Sequence, residues 1–278
     1  MKLPRFLLTV VVWTISVTSA SAQNFDEWAD QIVTAIQRKQ AFPAIAAENR
    51  AATEMLGYRV QKAVVKKLVD AGDEVVGHKA GLTSVGAQSR FGLLEPVAGE
   101  LLKSHIKNTA TFVSLRQFKG LVIEMEVGFE LKLTIRDEPT DVEDLKRYVR
   151  QVVPIVELPN IYFAPEGQMT GVDIIASNVA AATVVKGRPK PLSLVNLDRL
   201  DVTLSRNNEV VSEGKGTDAM GDQWEALLWL VRQRLREGFE VNRNDLLITG
   251  ALGTVIPGEA GRYVADFGKL GRVTFSLR

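Results

Sequence analysis

Residues 121–131, with the sequence LVIEMEVGFEL, place three carboxylates among alternating apolar residues. Such alternation predicts a β-strand, on which side chains two residues apart share a face at a spacing of about 7 Å. Glu124 and Glu126 therefore point the same way, and a hard divalent cation such as Mg²⁺, Mn²⁺ or Ca²⁺ would relieve their repulsion. The alternative is a solvated strand face without a ligand role, which Glu130 and Lys132 favour.

A third carboxylate, Glu157, lies in the apolar segment VPIVEL. A charged side chain in such a context is expected to be partly buried, and a buried charge needs a partner. Two glutamates on one strand supply two ligands, so a third ligand must come from elsewhere. We therefore take Glu157 as the candidate third ligand beside Glu124 and Glu126.

The segment GHKAGLTS, residues 77–84, surrounds a single lysine with two glycines and two hydroxyl residues. This composition predicts a loop in which Lys79 meets an anionic substrate and moves a proton. Base chemistry would require a lowered pKa of the Lys79 amine. The alternative is a solvent-facing lysine in a turn.

The elements that would position these groups follow from hydrophobic periodicity and capping signals. Helices are predicted at residues 26–39, 53–71, 141–152, 172–182 and 222–237. Strands are predicted at residues 121–135, 155–158, 246–248 and 272–277, with a hairpin at 201–212 that turns at Asn207 and Asn208. Helices in front and mostly strands behind favour an α+β domain.

The composition argues against several classes of function. Lysine and arginine number 34 against 33 aspartates and glutamates, without a basic run, so no nucleic-acid partner is expected. The chain contains no cysteine, which excludes disulfides, thiol catalysis and cysteine metal ligands. Since His78 and His105 are its two histidines, a histidine-rich zinc site is not expected either.

The N-terminal residues have the pattern of a secretory signal peptide. Lys2 and Arg5 precede an apolar run at residues 6–17, and the small residues ASA at 20–22 suit signal peptidase. We therefore predict a signal peptide at residues 1–22, cleavage after Ala22, and a periplasmic or secreted protein that is free of the membrane after cleavage. The alternative is an uncleaved N-terminal anchor.

Four of these features, taken in order and spacing, resemble a known family. They are HKAGLTS, the EME pair, Glu157 in PIVEL, and the tail GDQWEALLWLVRQRL followed by DLLITGALG. Together they resemble the 2-keto-4-pentenoate hydratase family of the fumarylacetoacetate hydrolase-like superfamily, which also contains the 4-oxalocrotonate decarboxylases. The resemblance extends from about residue 61 to residue 278.

The resemblance implies a particular α+β fold, a mixed β-roll of the fumarylacetoacetate hydrolase C-terminal type with N-terminal and packing helices. It implies one hydratase-like domain over residues 23–278. Its helical N-terminal part would span residues 23–75, and the roll with the metal site would span residues 76–278. Family members commonly assemble, so a homo-oligomer is expected.

The resemblance also assigns roles to individual residues. The E-x-E pair of the family falls on Glu124 and Glu126, its third metal-binding carboxylate on Glu157, and its active-site lysine on Lys79. The implied metal is Mg²⁺ or Mn²⁺. The implied substrate is a small 2-oxo or 2-hydroxydienoate acid, and the leading reaction is hydration of a 2-hydroxypenta-2,4-dienoate-like compound through a metal-stabilised enolate.

Backbone groups are expected to bind the carboxylate of that substrate. The candidates are Gly81, which follows the lysine, and the pair Thr249 and Gly250 in the Gly-rich turn near the C-terminus.

Two positions depart from the family pattern. Val97 in PVAG stands where the family has an acid in a stretch like PDFG, and Ser177 replaces another acid. These changes leave three alternatives to hydration: decarboxylation of a 2-oxo acid, C–C hydrolysis of an acylpyruvate, or binding without catalysis. A hydrolase would need a general base for water, and His78 is the nearby candidate.

Overall fold

The computed structural model describes residues 19–49, 52–164 and 169–278. Most of the predicted signal peptide, residues 1–18, lies outside the described residues, so its cleavage and the export of the chain stay predictions. Within the described ranges, no helix combines the length and apolarity that a membrane crossing requires.

Seven α-helices lie within the described residues. They are α1 (Ser19–Arg38), α2 (Ile45–Glu48), α3 (Glu54–Asp70), α4 (Val85–Arg90), α5 (Val142–Lys146), α6 (Gly171–Ala176) and α7 (Gln223–Arg236). The predicted helices at residues 26–39, 53–71 and 222–237 are confirmed as α1, α3 and α7. Thr53 caps α3 through its side-chain oxygen, as Asp222 does for α7.

The described residues also form sixteen strands. The first eight are β1 (Phe42–Pro43), β2 (Val75–Gly81), β3 (Val97–Leu102), β4 (Ile106–Asn108), β5 (Thr111–Val113), β6 (Val122–Leu131), β7 (Val149–Leu158) and β8 (Phe163–Ala164). The other eight are β9 (Thr183–Lys186), β10 (Lys190–Pro191), β11 (Asp201–Arg206), β12 (Glu209–Lys215), β13 (Leu246–Ile248), β14 (Leu252–Pro257), β15 (Gly261–Asp266) and β16 (Arg272–Leu277). The hairpin β11–β12 turns at Asn207 and Asn208, both with positive φ, as predicted.

Two curled sheets of mixed direction carry the fold. The larger has the order β3-β2-β13-β6-β7-β9-β4, with β14 pairing with β6 and β10 with β7. The smaller has the order β12-β11-β15-β16-β5. Strand β6 lies inside the larger sheet and is antiparallel to β7, β13 and β14. This architecture confirms the expected α+β fold.

Helix α7 packs against the larger sheet. Asp222 accepts hydrogen bonds from the backbone N–H groups of Trp224 (2.7 Å) and Glu225 (3.1 Å), which fixes where the helix begins. Gly238 follows the helix with φ +75°, the left-handed conformation that a C-terminal glycine supplies. The rings of Phe129 and Trp224, 5.1 Å apart, join β6 to the start of the helix.

A buried polar network joins α7 to the N-terminal helices. Arg234 is fully buried, donates to Oε1 of Gln61 at 3.2 Å and lies 3.4 Å from Oε1 of Glu100. Gln61 in turn donates to the carbonyls of Ala98 (2.8 Å) and Ile175 (2.9 Å). Residues from α3, β3, α6 and α7 therefore meet in one hydrogen-bonded cluster.

Several local predictions were wrong. The helix predicted at residues 141–152 ends at Lys146, because Val149–Leu158 forms β7 and pairs with β6 along its length. The helix predicted at residues 172–182 ends at Ala176, and Asn178, Val179 and Ala180 adopt positive φ. Lys79 lies in the buried strand β2 rather than in a loop or an exposed turn.

Candidate metal centre and active site

The register of β6 against β7 brings the three predicted carboxylates together. Glu124 lies opposite Glu157, and Glu126 lies opposite Ile155. Because opposite residues of an antiparallel pair share a face, as do residues two apart, the three side chains converge. One carboxylate oxygen from each lies within 4.8 Å of the other two.

The donor atoms of this triad fit a divalent cation. Glu126 and Glu157 are fully buried, and Glu124 is half-buried. Oε1 of Glu126 and Oε2 of Glu157 have no hydrogen-bond partner within the described ranges. A buried carboxylate oxygen without a partner is costly, and an oxygen-only ligand set is what hard divalent cations prefer.

The charges of the triad act on one another. Burial and then the charge of Glu157 raise the pKa of Glu124 to about 7. Burial, Glu157 and Glu124 raise the pKa of Glu126 well above its ordinary value of 4.5. Without a cation the site therefore tends to hold protons, and a bound cation would take their place.

Lys79 approaches the triad from β2. Its Nζ lies 2.6 Å from Oε1 of Glu157 and donates to the carbonyl of Val179 at 3.1 Å. Burial alone lowers the pKa of Lys79, but Glu157, Glu124 and Glu126 outweigh it and raise the pKa. Lys79 is therefore an ammonium beside the triad, and the lowered pKa expected for a base is not found.

Gly250 and Thr249 make contacts other than the predicted ones. The backbone N–H of Gly250 donates to Oε2 of Glu126 at 2.8 Å, which orients that carboxylate. The hydroxyl oxygen of Thr249 lies 2.6 Å from Oε1 of Gln223 and 3.0 Å from the carbonyl oxygen of Val127, and its one proton is donated to either. Both residues thus position the turn behind the triad, and their contact with a substrate stays a prediction.

A cavity of about 190 Å³ opens beside the triad, and Lys79, Gly81 and Glu124 line it. Most of its wall is apolar and comes from Leu82, Phe91, Ile161, Phe163, Ile174 and Val179. A wider groove of about 1010 Å³ shares Glu124 and part of this wall, and is also lined by the exposed cations Arg90 and Lys119. Gly81 lines the cavity, and its predicted backbone contact with the substrate carboxylate stays a prediction.

The positions that depart from the family pattern add no acid to the cavity. Val97 is fully buried and packs in an apolar cluster with Leu93, Ile175 and Val179. Ser177 is buried and donates to the carbonyl of Ile174 at 3.0 Å. Apolar side chains therefore occupy the surroundings of Val97.

His78 is not available as a base at this site. It lies on the opposite face of β2 from Lys79, and its Nε2 is 2.9 Å from the carbonyl of Glu240. Burial and then the charge of Arg234 lower its pKa to about 3. The prediction of His78 as the general base of a hydrolase is therefore wrong, because its side chain faces away from the triad.

Glu130, which the alternation suggested was a solvated residue, is buried instead. Its carboxylate accepts from Lys186 at 2.8 Å and Arg150 at 3.2 Å, and also from Gln151. It forms a structural ion-pair cluster at the far end of β6 rather than part of the triad.

Asp218, which no sequence motif marks as functional, also lines the cavity. Its Oδ2 accepts from the backbone N–H groups of Lys215 (2.7 Å) and Gly253 (2.9 Å). The three-residue spacing of Lys215 and Asp218 is a local capping signal, but nothing in the sequence connects it to Gly253.

Comparison with known proteins places the chain among hydratases. No family model matches it. It is 31% identical to 2-keto-4-pentenoate hydratase from Paraburkholderia xenovorans over 206 residues, 73% of this chain and 76% of the relative. It is 28% identical to 2-keto-4-pentenoate hydratase 1 from Dechloromonas aromatica, over 78% of this chain and 83% of the relative.

Solved structures share its fold. The 4-oxalocrotonate decarboxylase from Pseudomonas putida G7, complexed with magnesium and adipate, superposes with a TM-score of 0.88 at 21% identity, over 92% of this chain and 98% of that chain. A fumarylacetoacetate hydrolase family protein from Yersinia pestis superposes with a TM-score of 0.56 at 13% identity, over 72% of this chain and 92% of that chain. Sequence, fold and carboxylate triad agree, and the chain belongs to the 2-keto-4-pentenoate hydratase family.

Proposed function

We propose that this protein hydrates a small 2-hydroxydienoate acid, of the 2-hydroxypenta-2,4-dienoate kind, with a divalent cation held by Glu124, Glu126 and Glu157. The observation that carries the proposal is the convergence of these carboxylates beside the ammonium of Lys79 on the wall of an apolar cavity. The relatives named as hydratases support the reaction type.

The cation, which we take to be Mg²⁺ or Mn²⁺, would polarise the C2 oxygen of the substrate and stabilise negative charge there. The residues of the chain provide the rest. Glu126 is held in place by the N–H of Gly250. Lys79 supplies a fixed positive charge and N–H donors beside the reacting oxygen, because its ion pair with Glu157 prevents it from turning away.

The walls of the cavity suit a short apolar tail. Phe91, Ile161 and Ile174 exclude water from the hydrocarbon part of the substrate. Among the described residues that line the cavity, Lys79 is the single cation, and it already pairs with Glu157. A second carboxylate on a tail short enough to stay within this cavity would find no partner there, so we favour a monocarboxylic substrate over a short dicarboxylic one.

The test is a hydratase assay on 2-hydroxypenta-2,4-dienoate with Mg²⁺ or Mn²⁺, with product identification. We expect conversion to 4-hydroxy-2-oxopentanoate by the wild type and loss of conversion in Glu124→Ala, while Glu209→Gln on the exposed strand β12 serves as the matched control. No turnover by the wild type, or undiminished turnover in Glu124→Ala, would overturn the proposal. Decarboxylation of a 2-oxo diacid or cleavage of an acylpyruvate in a parallel panel would replace it.

On the pattern of residues 1–22 we also propose export to the periplasm with cleavage after Ala22. Mass spectrometry of the N-terminal peptide from a periplasmic fraction tests this. A full-length chain confined to the cytoplasm would contradict it.

We further propose a homo-oligomer, for which the exposed apolar side chains of Met55, Val85 and Leu94 offer contact area. Light scattering of the purified mature protein measures its mass. A monomer at micromolar concentration would contradict the assembly.

A further inference from the structure

Asp218 lines the cavity but belongs neither to the metal triad nor to the ion pair between Lys79 and Glu157. It lies in the turn between β12 and α7 and lines the same cavity of about 190 Å³ as Lys79 and Glu124. Unlike the triad it is exposed, so water reaches it. It therefore lies where solvent meets the space that we assign to the substrate.

The ionisable groups that line the cavity, within the described ranges, are Lys79, Glu124 and Asp218. Lys79 is ion-paired with Glu157, and Glu124 belongs to the metal triad. His78 faces away and Val97 is apolar. Among these lining residues, Asp218 is therefore the ionisable group that belongs neither to the ion pair nor to the triad.

Two backbone N–H groups hold the carboxylate of Asp218 in place. Its Oδ2 accepts two N–H groups, from Lys215 and Gly253, and no side chain competes for Oδ1 among the described hydrogen bonds. Gly253 has φ +77°, and a Cβ there would lie 2.0 Å from the carbonyl oxygen of Glu213. The carboxylate is therefore held by a segment that a side chain at residue 253 would disrupt.

We propose that Asp218 is the general base that activates the water added to the substrate. The proposal rests on the hydratase function proposed above and adds the residue that handles the water proton. Asp218 would act directly on the reacting atoms, since the proton it takes belongs to the water that adds to the substrate.

In ketonisation the C2 hydroxyl of the dienol loses its proton to water and C5 gains one from water, which leaves a C3–C4 double bond conjugated with the C2 carbonyl. The water oxygen then bonds to C4 and its proton passes to Oδ1 of Asp218, while the C3–C4 electron pair shifts to form an enolate at C2 and C3. Return of that proton to C3 restores the carboxylate and completes the addition of one water.

Three variants distinguish proton transfer by Asp218 from its structural role as a hydrogen-bond acceptor for the backbone. Asp218→Asn keeps an oxygen that can accept both N–H groups but cannot take a proton, whereas Asp218→Ala loses both functions. Asp201→Asn is the control, because Asp201 lines a neighbouring surface groove with Asp218 but not the cavity. Each holoenzyme is assayed with saturating Mg²⁺ for ketonisation, read as deuterium incorporation at C5 in D₂O, and for hydration, read as 4-hydroxy-2-oxopentanoate.

We expect Asp218→Asn and Asp218→Ala to lose about 10²–10⁴-fold in kcat for hydration, the usual contribution of a general base. Ketonisation, Mg²⁺ affinity and the melting temperature of Asp218→Asn should stay within about twofold or a few degrees of the wild type. Asp201→Asn should behave as the wild type.

Other outcomes overturn the assignment. Full hydration by Asp218→Asn with loss in Asp218→Ala would show that the carboxylate only holds Gly253. Parallel loss of ketonisation and hydration would show damage to the metal centre. A wild type that turns over neither step would instead refute the proposed hydratase function, which separates the two failures.

Discussion

Glu126 and Glu157 are fully buried, and these two carboxylates carry the unpartnered oxygens of the triad. Replacing either by glutamine removes one anionic ligand while nearly preserving volume. We expect Glu126→Gln and Glu157→Gln to weaken Mg²⁺ binding by at least about 100-fold, since changes to outer-shell partners alone cost roughly 10–100-fold. Isothermal titration measures this, with Glu209→Gln as the exposed control. Unchanged Mg²⁺ affinity in both variants would contradict the ligand assignment.

Lys79 is the counter-charge of the triad when no cation is bound. Removing one partner of a buried ion pair typically costs about 3–5 kcal/mol, because a buried charge is left without compensation. We expect Lys79→Met to lower the free energy of unfolding of the metal-free protein by about this amount, measured by urea denaturation. The loss should shrink in saturating Mg²⁺, and an equal loss with and without Mg²⁺ would contradict this role.

At the scale of elements, α7 depends on its N-terminal cap. Asp222→Ala removes the acceptor for two backbone N–H groups and should cost about 1 kcal/mol. For a chain of this size that lowers the melting temperature by about 2–4 °C in calorimetry. Asp222→Asn is the matched control, because asparagine caps about as well as aspartate. An equal fall in both variants would show that the negative charge, rather than the cap, matters.

Elements with strong local signals could be predicted from the sequence. Capped helices α3 and α7, the hairpin at Asn207 and Asn208, and the last strand were placed to within a few residues. Residues close in the chain determine where each of these elements begins and ends.

Elements set by distant contacts could not be predicted. Val149–Leu158 is a strand because it pairs with β6, which overrides the local helical pattern. Gly77 suggested a turn, but a Cβ there would lie 1.9 Å from the carbonyl oxygen of Leu246, so this glycine permits close strand packing. The position of Asp218 depends likewise on Gly253, 35 residues away.

The candidate site was more predictable than its surroundings. The i, i+2 spacing of Glu124 and Glu126 fixes a shared strand face by itself, and the apolar context of Glu157 indicated its burial. Local patterns in the sequence could not predict which strands pair. They also could not predict that His78 faces away from the triad and has a lowered pKa.

For the whole molecule, the metal and pH act on stability together. Glu124 and Glu237 have pKa values raised to about 7, first of all by burial, and burial also raises the pKa of Glu126 well above its ordinary value. Carboxyls with raised native pKa values stabilise the fold below their ordinary pKa, and this stability is lost as pH rises through the native value. The pKa values of His78 and His105 are lowered, so these residues make the fold more stable as pH rises. Their effect is confined to pH values below about 6.5, the ordinary pKa of histidine.

We therefore expect the melting temperature of the metal-free protein to fall as pH rises from about 6.5 to 7.5, through the native pKa values near 7. Added Mg²⁺ should raise the melting temperature more at the upper end, because its ligands must be deprotonated. Differential scanning fluorimetry with and without EDTA measures both effects. A metal-free protein that gains stability over this range, or an Mg²⁺ effect that does not vary with pH, would contradict the expectation.

The cluster around Arg234 has a consequence for how the chain acquires its structure. Gln61 receives its hydrogen bond from a residue 173 positions later, so the helices made first are completed by a helix made near the end. Contacts of such long sequence separation slow folding, because the loop entropy is lost before the contact forms. A nascent chain that has emerged only through its first half lacks the guanidinium that closes this cluster. Gln61 therefore gains this partner only when synthesis is nearly complete.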